Sequence, residues 1–243
     1  MDAERHSAEV APTAHGVGPD GGLAAARGEF ASLALGQDRR VALGLFLRHL
    51  ARGERLAQRS AGWQSALARD FRASRFFRSQ ARQEAMHARV FDTFATWLDA
   101  PHLALAPCPY DSWETRIDMA AAAGNYLETV VATQVVLEAL GETLLGRLDA
   151  GLDRAGAGFK RLRGLLRAQE AAHHAFGTRT IAVALAAEET DVAALRAVAL
   201  PYLALAEAMI AAGAPATTHF ALTSERIASD FRAHLPSWLG QAA

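Results

Sequence analysis

Two short stretches of the chain have the same form, a Glu followed three residues later by a His, and they restrict the fold more than any other feature. The first is Glu84-Ala85-Met86-His87, and the second is Glu170-Ala171-Ala172-His173. On an α-helix, residues i and i+3 lie on the same face one turn apart. Each pair can therefore direct a carboxylate and an imidazole at one point beside the helix, and each is a candidate half-site for a metal ion.

A further Glu precedes each pair at nearly the same distance. Glu54 lies 30 residues before the first pair, and Glu138 lies 32 residues before the second. In an antiparallel helical hairpin, two residues meet at one level when the turn lies midway between them. The first midpoint falls beside Asp70, a suitable helix N-cap, and the second falls near residue 154 in a glycine-rich stretch. Each half of the chain is thus predicted to be a hairpin with Glu on one arm and Glu-x-x-His on the other.

Two such hairpins supply four carboxylates and two imidazoles, which is the ligand set of ferritin-like di-iron proteins. Two ferrous ions carry four positive charges, so four Glu side chains neutralise them in a low-dielectric core. Carboxylate and imidazole suit non-haem iron, and the sequence leaves manganese open in one of the two positions. The predicted metal ligands, which are also the predicted catalytic residues, are Glu54, Glu84, His87, Glu138, Glu170 and His173.

The predicted fold is all-α, a ferritin-like four-helix bundle followed by two additional C-terminal helices. A long crossover at residues 99–116, which contains three prolines, separates the second helix from the third, as joining two hairpins into such a bundle requires. Residues 1–35 are predicted to be a mobile arm, and residues 36–243 the di-iron domain. The predicted helices span residues 38–68, 70–98, 116–148, 158–187, 190–213 and 217–234, with a kink at Pro201.

Composition narrows the class of protein. The formal charge of −1 gives no general reason to expect nucleic acid or a membrane as partner. Cys108 is the only cysteine, which excludes an internal disulfide and a rubredoxin-type electron-transfer module. The sequence reads as having no apolar run that spans a bilayer and no signal peptide. A cytoplasmic protein is expected, and a homodimer is compatible with the sequence.

Some residues keep two interpretations. Glu142 lies one turn beyond Glu138. It is either a fifth carboxylate near the metals or a group that orients a ligand His. His174 points either beside the site or into a neighbouring helix. One face of the second helix carries a row of arginines, which is either a solvated surface or a docking patch for an acidic electron-transfer partner or RNA. The row comprises Arg72, Arg75, Arg78, Arg82 and Arg89.

Over residues 38–187 the chain resembles the ferritin-like di-iron carboxylate superfamily, and within it the aldehyde-deformylating oxygenases. The resemblance implies that Glu84 and Glu170 bridge two irons. It also implies that Glu54 and Glu138 are terminal ligands and that each His binds one iron. The pieces that carry it are Gly53-Glu54, Glu84-Ala85-Met86-His87, Thr133-Gln134-Val135-Val136-Leu137-Glu138 and Glu170-Ala171-Ala172-His173-His174-Ala175-Phe176-Gly177.

These observations predict a non-haem di-iron oxygenase or oxidase that uses O₂ to oxidise a small to medium apolar substrate. Small residues beside Glu138, namely Ala88, Gly141 and Gly177, are expected to leave volume for that substrate. Electrons would come from a ferredoxin or a reductase, because the chain has no redox cysteines or nucleotide motif. The alternative is an iron-handling protein with ferroxidase or peroxide-scavenging activity, and a metal-free interaction module is a third reading.

Overall fold

The computed structural model describes residues 35–100, 108–154, 160–220 and 222–240, and within these ranges it is all-α and contains no strand. The mobile arm predicted for residues 1–35 lies almost entirely outside the described residues. The α-helices are α1 Gln37–Leu67, α2 Phe71–Trp97, α3 Pro109–Ala122, α4 Tyr126–Val130, α5 Glu138–Arg154, α6 Lys160–Ala186, α7 Val192–Thr217, α8 Ser224–His234 and α9 Ser237–Gly240. A π-helix, Val131–Leu137, joins α4 to α5 without a break, and a 3₁₀ turn, Thr218–Phe220, follows α7.

The first predicted hairpin is confirmed. Asp70 caps α2, because its side chain accepts a hydrogen bond from the backbone N–H of Ala73 at 2.9 Å. The predicted inner face of α1 is buried throughout, and it includes the charged residue Glu54. Capping and the apolar stripe therefore explain both where the hairpin turns and which faces of its two arms meet.

The crossover is longer than predicted and contains a helix of its own. The predicted third helix beginning at Arg116 is wrong, because Arg116 lies inside α3, and the chain breaks after α3 at Gly124 with φ +70°. The Tyr110 hydroxyl donates to the carbonyl of His49 at 3.1 Å, and the Arg59 guanidinium pairs with Asp118 at 2.6 Å. Thus α3 runs alongside α1 and in the same direction, back along the bundle.

The third core helix consists of α4, the π-helix and α5. Side chains near the ends of α2 and α5 and near the starts of α1 and α6 line one cavity, so α2 and α5 run in the same direction. The long connection therefore leaves the second and third core helices parallel, as predicted. The seven π-helical residues are all buried, and Glu138 is the first residue after them. A π-helical stretch widens the backbone turn locally, and such stretches occur frequently at functional sites.

The C-terminal helices cover one side of the bundle. The fifth predicted helix corresponds to α7, which continues to Thr217 and contains Pro201 and Pro215. The predicted start of the sixth helix at Thr217 is wrong, because α8 begins at Ser224 behind a Thr223 cap. Trp113 of α3 and Tyr202 of α7 are fully buried against each other, with ring centroids 5.3 Å apart. The two extra helices thus share a core with the crossover.

Two helical stretches, Tyr126–Asp153 and Val192–Phe220, are long and apolar enough to cross a membrane by length and composition. The prediction that no apolar run has this length is therefore wrong. The first stretch is the third core helix, and 78% of its most apolar window is buried inside the protein. For the second the share is 33%, and two prolines interrupt it. Neither is a clear membrane span.

Candidate metal centre

The six predicted ligands converge at the middle of the bundle. Glu54 comes from α1, Glu84 and His87 from α2, Glu138 from α5, and Glu170 and His173 from α6. All six are buried, and Glu84 and His87 have no exposed surface at all. Ionisable side chains are seldom buried to this degree unless they are paired or coordinate a metal.

The ligand atoms form two overlapping groups. Glu54, Glu84, His87 and Glu170 each offer an atom within 4.8 Å of the others, and Glu84, His173 and Glu138 do the same. Glu84 belongs to both groups, so its two carboxylate oxygens can face two cations. The bridging role that the family resemblance implies for Glu170 stays a prediction.

The imidazoles face the carboxylates through Nδ1. His87 Nδ1 lies 3.0 Å from Glu170 Oε1, 3.1 Å from Glu84 Oε2 and 3.3 Å from Glu54 Oε2. His173 Nδ1 lies 2.9 Å from Glu84 Oε1. His87 Nδ1 thus faces oxygens of three carboxylates at once, which is the arrangement of donors around a cation rather than that of a single hydrogen bond.

Several of these buried atoms lie close to one another, but none of them has the geometry of a hydrogen bond with any described residue. They are both oxygens of Glu84, Oε1 of Glu170 and Nδ1 of His173. Buried polar atoms are nearly always satisfied, and an orphaned group calls for an explanation such as an ion. The carboxylate and imidazole donors suit iron or manganese. The residues present therefore fit a metal ion.

The four buried carboxylates outnumber the two imidazoles, so the carboxylates repel one another. Burial, followed by repulsion from Glu170, raises the pKa of Glu54 and that of Glu138 well above the usual value. Burial alone would also raise the pKa of Glu84, but the imidazoles of His173 and His87 outweigh it and lower that pKa. A divalent cation would relieve the same repulsion more completely than protons do.

Two glutamines outside the predicted ligand set hold the histidines. The outer nitrogen of His87, Nε2, lies 2.8 Å from Oε1 of Gln169, and Nε2 of His173 lies 2.8 Å from Oε1 of Gln83. An amide oxygen only accepts, so each Nε2 carries a proton, and in the neutral imidazole each Nδ1 is then the nitrogen available to a metal. The sequence contained the signal, because a Gln directly precedes both Glu-x-x-His motifs.

We expect Gln83→Leu to lower iron affinity by about 10- to 100-fold, the usual cost of removing a group that orients a ligand His. The Leu side chain cannot accept from Nε2–H, so the His173 ring loses its fixed orientation and tautomer. Gln83→Glu restores an acceptor at the same place and should recover most of the affinity. Competitive titration with a chelator measures the change, and equal losses in both variants would contradict this role.

A series of hydrogen-bonded glutamine side chains leads to Glu138. Gln80 Nε2 donates to Glu138 Oε1 at 2.6 Å, and Gln134 Nε2 donates to Gln80 Oε1 at 3.1 Å. Gln134 and Gln64 also exchange hydrogen bonds in both directions, at 2.6 and 2.9 Å. All three glutamines are fully buried. Gln134 lies on the π-helix, so this network fixes the backbone from which Glu138 projects.

The space expected beside Glu138 is partly filled. A Cβ added to Gly177 would lie 2.2 Å from Cβ of Gln134, so this glycine provides close packing of α6 against the π-helix rather than volume. A Cβ on Gly141 would lie 3.5 Å from Glu170 Oε2, so Gly141 adjoins the carboxylates directly. The prediction that Gly177 leaves room for substrate is therefore wrong.

Glu142 and His174 form a separate pair beside the centre. His174 Nδ1 lies 3.4 Å from Glu142 Oε2, and both side chains are partly exposed. Neither residue belongs to the two candidate groups in the described part of the chain. Glu142 thus orients His174, which the ligand prediction did not include, and it does not orient His173.

The free volume lies toward the end of the bundle where α1 and α6 begin. A cavity of about 30 Å³ is lined by Phe91, Leu145 and Leu166, which lie within one or two helical turns of ligand residues. A cavity of about 290 Å³ lies beyond it, and Leu43, Leu148 and Leu152 border both. The walls are mainly leucine and phenylalanine. Asp149, Arg163 and Arg167 also line the inner cavity, and Arg39, Arg147 and His219 also line the outer one.

No protein-family model matches the sequence, and comparison with curated proteins finds no significant match. Fold and site define an all-α helical bundle with a buried group of Glu and His side chains that can hold metal ions. This arrangement is compatible with a ferritin-like di-iron centre.

Proposed function

We propose that this protein is a non-haem di-iron oxygenase or oxidase that uses O₂ to oxidise a small to medium apolar compound. The observation that carries the proposal is the pair of overlapping ligand groups joined by Glu84, whose two oxygens are buried and without hydrogen-bond partners among the described residues. Four Glu and two His would hold two irons, which when bound would supply the electrons for reducing O₂.

The surrounding chain supports this chemistry in three ways. Gln83 and Gln169 orient the histidines so that both Nδ1 atoms face the centre. Gln80 keeps Glu138 in place with a donated hydrogen bond. The leucine and phenylalanine side chains at the end of the bundle exclude water from that side of the centre.

The cavities support an apolar substrate. The outer one, about 290 Å³, is close to the lower limit of roughly 300–1,000 Å³ that is typical of small-ligand sites. The inner one, about 30 Å³, has space only for the end of a molecule, and Phe91 and Leu166 in its wall lie one helical turn from His87 and Glu170. Leu148 borders both cavities, so a substrate would pass this residue on the way from the outer cavity to the inner one.

The test is anaerobic loading with ferrous iron, followed by exposure to O₂ with and without medium-sized apolar compounds. We expect the compound to accelerate O₂ consumption and to yield a product that is one oxygen atom heavier or two hydrogen atoms lighter. Leu148→Trp should reduce product formation by narrowing the passage between the cavities, whereas Leu165→Trp, at a partly exposed position on α6, should not. Mass spectrometry measures the product.

The competing function is iron handling, with ferroxidase or peroxide-scavenging activity. Catalytic oxidation of many irons per chain, with no organic product under any condition, would overturn the oxygenase proposal in its favour. The electron donor of the proposed enzyme is an external ferredoxin or reductase.

A further inference from the structure

The arginines of α1 and α2 differ in whether they form ion pairs with neighbouring helices. Those of α1 that face neighbouring helices are paired with carboxylates: Arg48 and Arg55 contact Asp92, and Arg59 contacts Asp118. Arg52 contacts Asp111 of the crossover helix in the same way. These pairs connect α1 to α2 and α3, so their charge is neutralised within the fold.

The arginines of α2 have no such partners in the described part of the chain. Five exposed arginines follow one another along its outer face, and none forms an ion pair within the ranges the structure describes. Arg75 lies over the Phe71 ring at 5.8 Å, and Arg78 donates to Ser74 Oγ at 3.0 Å, so two of them are arranged along the helix by neutral groups. We call this surface the arginine face: Arg72, Arg75, Arg78, Arg82 and Arg89.

This concentration of charge is local. The chain as a whole carries a formal charge of −1, so the arginine face does not simply reflect a high positive charge of the whole protein. Arg75, Arg78, Arg82 and Arg89 follow helical spacing on the side of α2 opposite Glu84, which is buried. A surface of one sign attracts a partner of the other sign and increases its association rate.

The arginine face is also the outer side of a helix that carries two predicted iron ligands. An α-helix with its side chains is about 10–12 Å across, so a protein bound there is separated from Glu84 and His87 by roughly one helix. No other protein layer needs to intervene. The location therefore suits a partner that exchanges electrons with the centre.

We propose that the arginine face docks an acidic electron-transfer protein of the plant-type [2Fe–2S] ferredoxin class. The proposal rests on the proposed function, since it assigns the site at which that function receives its electrons. Two reduced ferredoxins would each lose one electron, and two ferric ions would each gain one and become ferrous. No proton or atom is transferred in this step.

The test uses an acidic plant-type [2Fe–2S] ferredoxin and the double variant Arg75→Glu/Arg82→Glu. The matched control is Arg116→Glu/Arg226→Glu, which makes the same change in net charge at exposed positions on α3 and α8. Ferredoxin affinity is measured by fluorescence anisotropy for metal-free and iron-loaded protein. Oxidation of reduced ferredoxin by the iron-loaded protein is followed by stopped-flow absorbance.

We expect the α2 variant to lose about tenfold or more in affinity and in electron-transfer rate, while the control stays near the native values. The native rate should fall as ionic strength rises from about 0.01 to 0.15 M, because the Debye length shrinks from about 30 to 8 Å. Reduction by dithionite with methyl viologen should be the same in all three proteins.

The outcomes separate the docking proposal from the function on which it rests. Equal affinity and rate in the native and α2 variant proteins would overturn the docking site, as would an arginine face that binds an RNA oligonucleotide tightly and does not bind ferredoxin. Loss of ferredoxin affinity in the metal-free α2 variant would support docking even if the iron-loaded protein oxidised no substrate. In that case only the proposed oxygenase function would fail.

Discussion

Glu84→Ala should abolish paired iron binding, whereas the native protein should bind about two irons per chain. Glu84 is the one residue shared by the two ligand groups, and its oxygens lie 2.9 and 3.1 Å from the Nδ1 atoms of the two histidines. Removing it takes a ligand from both positions at once. Iron content after anaerobic loading and desalting, with the Mössbauer spectrum of the bound iron, measures the effect.

Glu142→Ala is the control for that experiment. Glu142 is a nearby carboxylate on the same helix as Glu138, but its contact is with His174 and it lies outside both groups. It should keep both irons. Glu170→Ala should also lose paired binding, because Glu170 is a member of the first group. Full iron occupancy in both Glu84→Ala and Glu170→Ala would refute the ligand assignment.

Gly177→Ala should destabilise the fold by about 1–3 kcal/mol, the usual cost of overpacking a core. The added methyl group would meet Cβ of Gln134 at 2.2 Å and its backbone at 3.2 Å, and neither is the flexible end of a side chain. The π-helix would have to move away from α6, which would disturb Gln134 and the position of Glu138. Urea denaturation and iron titration of the same variant measure both effects.

Gly164→Ala in the same helix gives the opposite expectation. An added Cβ at Gly164 meets nothing within 4 Å, and the residue is exposed. Alanine has the higher helix propensity, so this change should stabilise the protein by up to about 1 kcal/mol. A similar loss of stability in both variants would show that the contact with Gln134 is unimportant.

The sequence was sufficient for the parts of the fold that depend on local patterns. The paired spacing of Glu and Glu-x-x-His located the turn of the first hairpin, since the midpoint rule needs only chain length and helix rise. The third core helix continues to Arg154 rather than ending at residue 148, and the segment that follows it, residues 155–159, lies outside the described part of the chain. The cap at Asp70 and the apolar stripe of α1 follow from capping and helical periodicity. The convergence of the six predicted ligand side chains is the direct result of these features.

The parts that were wrong or missed depend on signals that were weak or ambiguous. Four consecutive alanines at residues 120–123 favour a continuing helix, and they concealed the break at Gly124, after which the Asn125 side chain caps α4. The π-helix is buried on all sides, so its residues show no periodicity from which a change of helical geometry could be read. The prediction of free space beside Gly177 was wrong because a sequence does not show which side chain of the opposite helix packs against it.

The exchange of glutamines between the two motifs means that neither hairpin contains a complete half-site. The Gln that precedes the first Glu-x-x-His holds the histidine of the second, and the reverse holds for the other Gln. Each half of the chain thus supplies the glutamine that orients the histidine of the other half, as the subunits of a symmetric dimer do when they share a site. An isolated hairpin has the right residues but leaves its own imidazole without a fixed orientation, so the centre is a property of the assembled pair.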